Sequence, residues 1–188
     1  MIAVSILRGQ KVVLRPFRWT DVPYQHRWMN DREVSHFLKV GGDVPIEDVE
    51  EWYDVPVDPD DPRTFAILAG EGEVIGAIQL RKISWDHSWG ELAMLIGEKA
   101  YWGKGYGTDA VRTFLRWCFQ DIGLNRVELH VLEYNQRATR CYEKAGFSKE
   151  GVLRRRFFRE GRYWDLHVMG ILREEWETSA SKDAHPGG

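Results

Sequence analysis

The sequence predicts a single α/β domain in which a mixed sheet carries helices on both faces. The length of 188 residues is that of one domain with a sizeable core. Strand-like and helix-like patterns alternate in the order β-αα-βββ-α-β-α-ββ. A glycine-rich loop joins a predicted strand to a predicted helix at positions 101–108, a layout that suits an anionic ligand. We expect residues 1–177 to form the domain and 178–188 a loose polar tail.

The first half of the chain contributes four predicted strands and two predicted helices. Pro16 ends the first strand, which starts at Lys11, because proline lacks the N–H group that strand pairing needs. Thr20 is the predicted N-cap of a helix that ends at Trp28. The spacing of apolar and turn residues predicts the remaining elements, a helix over about 45–53 and strands over 64–68, 74–82 and 90–96.

The second half of the chain predicts two further helices. Apolar residues recur at helical spacing after Thr108, and Gly123 stands where that helix would stop. Asn135 is a suitable N-cap for the second helix, which Gly146 would close. Alternation of apolar residues predicts strands over 127–131, 154–159 and 162–170, the last two forming a hairpin.

The loop Tyr101-Trp-Gly-Lys-Gly-Tyr-Gly-Thr108, called the glycine loop below, has glycines at three alternate positions. At a helix N-terminus such a loop directs backbone N–H groups toward an anion, and glycine lets a phosphate approach the main chain. The Walker loop is excluded because no Gly-Lys-Ser/Thr follows, and the Rossmann fingerprint because it would need glycine at Thr108. We therefore expect a phosphorylated ligand, with an ordinary strand-to-helix turn as the alternative.

A second motif follows about thirty residues later, in the segment Asn135-Gln-Arg-Ala-Thr-Arg-Cys-Tyr142-Glu-Lys-Ala-Gly-Phe147. Together the two motifs resemble the GNAT superfamily of acetyl-CoA-dependent N-acetyltransferases, whose signature is Gln/Arg-x-x-Gly-x-Gly/Ala and then Asn-x-x-Ala/Ser-x-x-x-Tyr-Glu-Lys-x-Gly-Phe. Trp102 departs from the Gln or Arg of that signature, at a position that supplies mostly backbone contacts. The sequence segments 12–16, 28–34 and 161–170 resemble those of the family branch that acetylates ribosomal-protein N-termini, polyamines and aminoglycosides.

The resemblance implies a mostly antiparallel, twisted sheet of about seven strands and acetyl-CoA as the cosubstrate. N–H groups around Leu95 and Ile96 would pair with the pantetheine arm and polarise the acetyl carbonyl. Asn135 would hydrogen-bond the pantetheine or close the cofactor groove. The implied cofactor-binding residues are Met94, Leu95, Ile96, Trp102, Gly103, Lys104, Gly105, Tyr106, Gly107, Thr108, Asn135, Ala138 and Tyr142.

Acetylation of an amine needs a base and an acid. An alkyl amine with a pKa of about 10.4 is mostly protonated at neutral pH, and the leaving thiolate needs a proton. The resemblance implies that Tyr142 is the general acid and Glu91 the base, the latter often acting through water. A core tyrosine and a solvated edge charge are the alternatives. His130 is a weaker candidate base, more simply explained as a half-buried histidine bonded to a neighbour.

The acceptor is the least determined part of the prediction. Positions 40–62 hold nine acidic residues and no Lys or Arg, which would attract a cationic amine or would form a solvated loop. Trp28, Trp52, Tyr53, Trp85 and Trp89 could line an aromatic cleft for a cation, although most tryptophans belong to the core. A polyamine or aminoglycoside is the favoured acceptor. A protein N-terminal α-amine, or a non-catalytic acyl-CoA-binding module, is the alternative.

Composition excludes several other classes of function. A net charge of −3 does not indicate the excess of positive charge that nucleic-acid binding relies on. Neither a membrane span nor a secretion signal is visible. Two cysteines, Cys118 and Cys141, suit a reducing cytoplasm, and the six scattered histidines argue against a metal site. The sequence does not decide whether the protein forms a homodimer.

Overall fold

A computed structural model describes residues 6–39, 43–51, 63–70 and 72–183. Eight strands lie in these residues: β1 Leu7–Arg8, β2 Val12–Pro16, β3 Thr64–Ala69, β4 Glu73–Ser84, β5 Trp89–Ile96, β6 Arg126–Leu132, β7 Ser148–Arg159 and β8 Arg162–Leu172. They form one sheet in the order β1-β2-β3-β4-β5-β6-β8-β7. In this sheet β5 and β6 are parallel, and the antiparallel pairs include β1–β2, β2–β3, β3–β4, β6–β8 and β8–β7. The predicted mixed, mostly antiparallel sheet is therefore confirmed, with one strand more than expected.

The described residues contain six α-helices: α1 Val22–Asn30, α2 Arg32–Ser35, α3 Ile46–Glu51, α4 Tyr106–Arg116, α5 Gln136–Lys144 and α6 Arg173–Asp183. Short 3-10 turns lie at Trp19–Asp21 and Lys99–Tyr101, and a π-helical stretch at Trp117–Asp121 continues α4. The backbone then leaves the helix at Gly123, which has φ +76°. This is the position at which the sequence predicts the helix stop.

One sequence-based expectation about these elements is wrong, one strand was not expected, and part of the predicted tail is helical. Thr20 lies inside a 3-10 turn, and the N-cap of α1 is Asp21, whose carboxylate is bound by Arg15 at 2.6 and 2.7 Å. The strand β1 has only two residues and leaves no periodic pattern. The predicted loose tail is helical from Thr178 to position 183, because α6 is polar on most sides and shows no apolar periodicity by which to recognise it. Tyr53, the predicted end of the second helix, lies outside the described residues.

The contacts of the chain divide into two compact units. The first combines the residues up to Leu80 with Ala93–Phe114. Its strands β1 to β4 pair antiparallel, and a buried cluster packs beside them: Phe17, Val22, Met29, Val44, Val49, Ala66, Leu68 and Ala77. Phe65 meets Phe114 of α4 edge to face, with ring centroids 5.7 Å apart. This packing holds the last turn of α4 against β3 of the same unit.

The second unit combines Arg81–Leu92 with the residues from Leu115 onward. Within it β5 pairs parallel with β6, so that Glu91 lies opposite Glu128. The strand β6 pairs antiparallel with β8, and β8 pairs with β7, whose register shifts between Leu153 and Phe157. Trp176 of α6 packs on Phe119, with ring centroids 5.4 Å apart. Because directly paired residues of neighbouring strands point to the same face of a sheet, this register puts the side chains of Glu91 and Glu128 on one face.

Candidate active site

The glycine loop has the backbone that a phosphate site requires. Gly103 and Gly105 have φ +71° and +86°, which side-chain-bearing residues rarely adopt. Apart from Gly103 itself and its two chain neighbours, no atom lies within 4 Å of the place where a Cβ of Gly103 would stand. The helix α4 begins at Tyr106, two residues before the predicted Thr108, so its first N–H groups belong to the loop itself. The loop therefore fits a phosphorylated ligand, as the sequence predicts.

A turn from the start of the chain supports this loop. The carboxylate of Asp109, in the first turn of α4, accepts hydrogen bonds from the backbone N–H groups of Gln10, Lys11 and Val12 at 3.1, 2.7 and 3.0 Å. A Cβ on Gly9 would lie 2.5 Å from the Asp109 carboxylate, so the close approach requires glycine. We call residues 9–12 the N-terminal turn.

The N-terminal turn also adds a cation to the glycine loop. The Nζ of Lys11 donates to the carbonyl of Lys104 at 3.0 Å and lies 5.5 Å from the ring centroid of Tyr106. Sequence analysis missed Lys11 because 93 residues separate it from Lys104, and no local pattern links them. Its ammonium group raises the positive charge beside the helix N-terminus, where an anion is already favoured.

Trp102 ties the end of β5 to the glycine loop. Its indole Nε1 donates to the carbonyl of Ile96 at 2.7 Å, and its ring meets Phe37 edge to face. The carbonyl of Leu95 faces β4 so closely that a Cβ on Gly76 would lie 2.1 Å from its oxygen. Trp102 therefore contributes through its side chain as well as its backbone, unlike the expectation of mostly backbone contacts.

In the second unit, Glu91 and His130 are brought together. Glu91 is 7% exposed, and its Oε1 lies 3.4 Å from Nδ1 of His130 on the neighbouring strand β6. Its Oε2 lies 3.9 Å from Nζ of Lys82. The alternative of a solvated edge charge is therefore wrong for Glu91. The largely buried carboxylate of Glu91 thus lies beside a partly exposed imidazole, and the ammonium group of Lys82 near it is 71% exposed.

Tyr142 lies on α5 and is 6% exposed. Its ring packs against Phe147, with centroids 5.8 Å apart, across the end of the helix. Burial raises the pKa of the Tyr142 phenol well above its ordinary value of 10. The hydroxyl group is therefore protonated at every pH near neutrality, which is the state that a general acid needs.

Asn135 caps the helix that carries Tyr142, as predicted. Its Oδ1 accepts a hydrogen bond from the backbone N–H of Ala138 at 3.1 Å. Asn135 is buried, and its backbone carbonyl accepts from both the N–H and the hydroxyl of Thr139. The cap fixes where α5 begins and hence where Tyr142 lies along it.

The residues predicted to bind the acceptor are described only in part. Trp28 is 2% exposed and donates its Nε1 to Glu98, so it belongs to the core. Trp52 and Tyr53 lie outside the described residues, and Trp85 is exposed. Of the acidic stretch, Asp43, Glu47 and Asp48 have described, exposed side chains. In the part of the chain that the structure describes, no three His, Cys, Asp or Glu side chains cluster as metal ligands would.

These features match one family. Residues 11–148 match the family described as acetyltransferase (GNAT) domain. The chain belongs to this family. Spermidine N(1)-acetyltransferase of Vibrio cholerae is 27% identical over 168 residues, which cover 89% of this chain and 96% of that protein. Spermidine N(1)-acetyltransferase of Escherichia coli K12 is 28% identical over 168 residues, which cover 89% of each.

A solved structure of the family has the same fold. Spermidine N-acetyltransferase from V. cholerae in complex with CoA and spermine matches with a TM-score of 0.82 at 27% identity, over 90% of this chain and 99% of that one. The predicted family, fold class and activity are confirmed: the chain is an acetyl-CoA-dependent N-acetyltransferase. No helix within the described ranges is both long and apolar enough to cross a membrane.

Proposed function

We propose that this acetyltransferase acetylates a primary amine of a polyamine-like small molecule by direct attack on acetyl-CoA. The observation that carries the proposal is the near end-to-end match to two enzymes named for spermidine, each over 89% of this chain. The exposed acids Glu47 and Asp48 at the start of α3 are consistent with a cationic acceptor. We place the enzyme in the cytoplasm, which its two free cysteines support.

We further propose that the glycine loop binds the phosphates of acetyl-CoA. Its backbone is open at Gly103, the helix dipole of α4 favours an anion, and Lys104 and Lys11 add positive charge. The N–H groups around Met94, Leu95 and Ile96 would bind the pantetheine arm and the acetyl oxygen. Asn135 has the amide NH₂ group to donate to pantetheine while its oxygen caps α5.

Two residues divide the proton transfers. Tyr142 gives its hydroxyl proton to the departing thiolate, a role that its buried, protonated phenol supports. Glu91 draws a proton from the acceptor ammonium, directly or through an intervening group, so that the neutral nitrogen can attack the thioester carbonyl. Each role would account for a rate factor of roughly 10²–10⁴.

A screen of amines tests the acceptor. Purified protein and acetyl-CoA are mixed with spermidine, spermine, an aminoglycoside or a peptide with a free N-terminus, and release of free thiol is followed. We expect spermidine and spermine to give the highest kcat/KM, with a KM that rises with salt because screening at 0.15 M acts beyond about 8 Å. A best acceptor that is neutral or acidic apart from its amine would contradict the proposal.

Charge variants sharpen the same test. Changing Glu47→Gln together with Asp48→Asn should raise KM for spermine and leave CoA binding unchanged. The matched control is Glu174→Gln with Asp121→Asn, which removes two exposed negative charges elsewhere. Equal KM values in both double variants would mean that α3 does not attract the acceptor.

One observation favours a second acceptor class, the α-amine of a protein. Arg154, Arg155 and Arg156 are exposed on the irregular stretch of β7, where the N–H of Arg155 donates to Asp165 at 2.7 Å. Three adjacent guanidinium groups would repel a polyamine and attract acidic peptide side chains. Peptides that differ only in acidic residues after the reacting N-terminus distinguish the two classes. A higher kcat/KM for the acidic peptide than for spermidine would favour the protein substrate.

A further inference from the structure

The contact between Glu91 and His130 bears on which group removes the proton from the amine. Both residues lie in the same compact unit, on adjacent parallel strands. Glu91 is opposite Glu128, and His130 is two residues further along β6, so the three side chains lie on one face of the sheet. The separation of 3.4 Å between Nδ1 of His130 and Oε1 of Glu91 is slightly long for a hydrogen bond, as is common in sites without substrate.

The two members of this pair differ in access to solvent. The Glu91 side chain is 9% exposed and that of His130 is 23% exposed. The ring nitrogen that faces Glu91 is Nδ1, which leaves Nε2 as the nitrogen able to accept a proton from outside the pair. A carboxylate that holds Nδ1–H of an imidazole also fixes its tautomer and stabilises the imidazolium that forms when Nε2 is protonated.

We propose that His130 is the catalytic base through Nε2 and that Glu91 is a positioning residue that acts through His130. This inference rests on the proposed function and refines the role of Glu91 within it. The charged groups around the imidazole fit this arrangement. Glu91 faces it from β5, and Lys82 of β4 lies beside Glu91. Glu128 on β6 pairs with Arg126 at 3.0 Å, and the guanidinium group of Arg126 also binds Glu150. The β8 partner of His130 is the uncharged Val168.

The reaction balances with one proton released. Nε2 of His130 takes a proton from the acceptor ammonium, and the amine nitrogen forms a bond to the thioester carbonyl carbon. The carbon–sulfur bond then breaks, the thiolate takes the hydroxyl proton of Tyr142, and the phenolate recovers a proton from the acylated nitrogen. The products are the N-acetyl amine, CoA with a free thiol, and a proton that leaves His130 for solvent.

The first test compares pH–rate profiles of His130→Gln, Glu91→Gln and the wild type, with acetyl-CoA and spermidine. Near neutral pH, His130→Gln should lower kcat/KM by roughly 10²–10⁴-fold, and the loss should shrink toward pH 10, where free amine is abundant. Glu91→Gln should lose less, because the imidazole is still present. Added imidazole should restore part of the rate of His130→Gly. The control His87→Gln changes an exposed histidine in the turn between β4 and β5 and should match the wild type.

The second test does not depend on the acceptor. Nitrogen-15 NMR of histidine-labelled protein should show His130 protonated on Nδ1 in its neutral form, and Glu91→Gln should change that signal but not the signal of His87. The proposal would be overturned if the neutral ring of His130 were protonated on Nε2. It would also be overturned if His130→Gln kept the wild-type pH–rate profile while Glu91→Gln was inactive. If the wild type acetylates neither spermidine nor any other amine, the proposed function fails. The NMR result alone then decides whether Glu91 holds the proton on Nδ1 of His130.

Discussion

The glycine loop and the Glu91–His130 pair show two different ways of building a site. The loop is a contiguous segment whose backbone conformation is set by Gly103 and Gly105. The pair comes from two strands and exists only because β5 and β6 are parallel neighbours in a fixed register. A backbone site can therefore be recognised from local sequence, whereas a side-chain pair depends on which strands meet.

The two regions also differ in what supports them. The loop is held by the N-terminal turn, through three hydrogen bonds to Asp109 and one from Lys11. Tyr142 is held by helix packing and by the Asn135 cap. Changes in the loop should therefore alter cofactor affinity, and changes near Tyr142, Glu91 and His130 should alter the chemical step. The following variants test this separation.

The largest effect is expected for Tyr142→Phe, which removes the proposed proton donor. We expect kcat to fall by roughly 10²–10⁴-fold with CoA affinity nearly kept. Because burial raises the pKa of Tyr142, the wild-type rate should not decline near pH 10 from loss of the phenol proton. The control is Tyr163→Phe at an exposed position. A normal kcat in Tyr142→Phe would remove this residue from the mechanism.

Gly105→Asp should abolish CoA binding. The backbone φ of +86° strains any side chain, and a carboxylate would repel the cofactor phosphates. At 100 times the wild-type Kd, CoA should stabilise the wild type by about 2.7 kcal/mol and the variant by nothing, as measured from thermal unfolding. Gly161→Asp is the control, since Gly161 has φ +76° in the β7–β8 turn. Equal stabilisation of wild type and Gly105→Asp by CoA would disprove the loop assignment.

Asp109→Ala should weaken both stability and cofactor binding. It leaves the N–H groups of Gln10, Lys11 and Val12 without their acceptor, at a cost of about 1–3 kcal/mol in the free energy of unfolding. A looser N-terminal turn should also raise the Kd for CoA without changing kcat. Asp121→Ala, at an exposed helix end, serves for comparison. A fall in kcat at saturating substrate would show that the two regions are not separable.

The smallest effect concerns Asn135. Asn135→Ala should cost about 1 kcal/mol of stability through loss of the cap on α5. Asn135→Asp keeps the capping oxygen and should retain that stability, but it loses the amide donor proposed to bind pantetheine. A KM for acetyl-CoA that rises in Asn135→Asp would support this contact, and an unchanged KM would limit Asn135 to its capping role.

Prediction from sequence succeeded where the signal is local. The helix N-cap at Asn135, the stop at Gly123 and the strand ending at Ile96 all follow from residues within one turn or one strand. It failed at Thr20, where Arg15 binds the neighbouring Asp21 and a 3-10 turn precedes the helix. It also failed for α6, because a polar helix has no periodic apolar face to detect.

The sequence by itself determined the family and the reaction, because alternate glycines before a helix and the Asn135–Phe147 motif are local patterns with a direct chemical meaning. Only the tertiary structure decided that Lys11 and Asp109 support the loop and that His130 contacts Glu91. These contacts join residues that are 39 to 98 positions apart in the chain. Strand pairing and turn packing bring them within hydrogen-bonding or ion-pair range, and no local sequence pattern indicates which distant segments will pair.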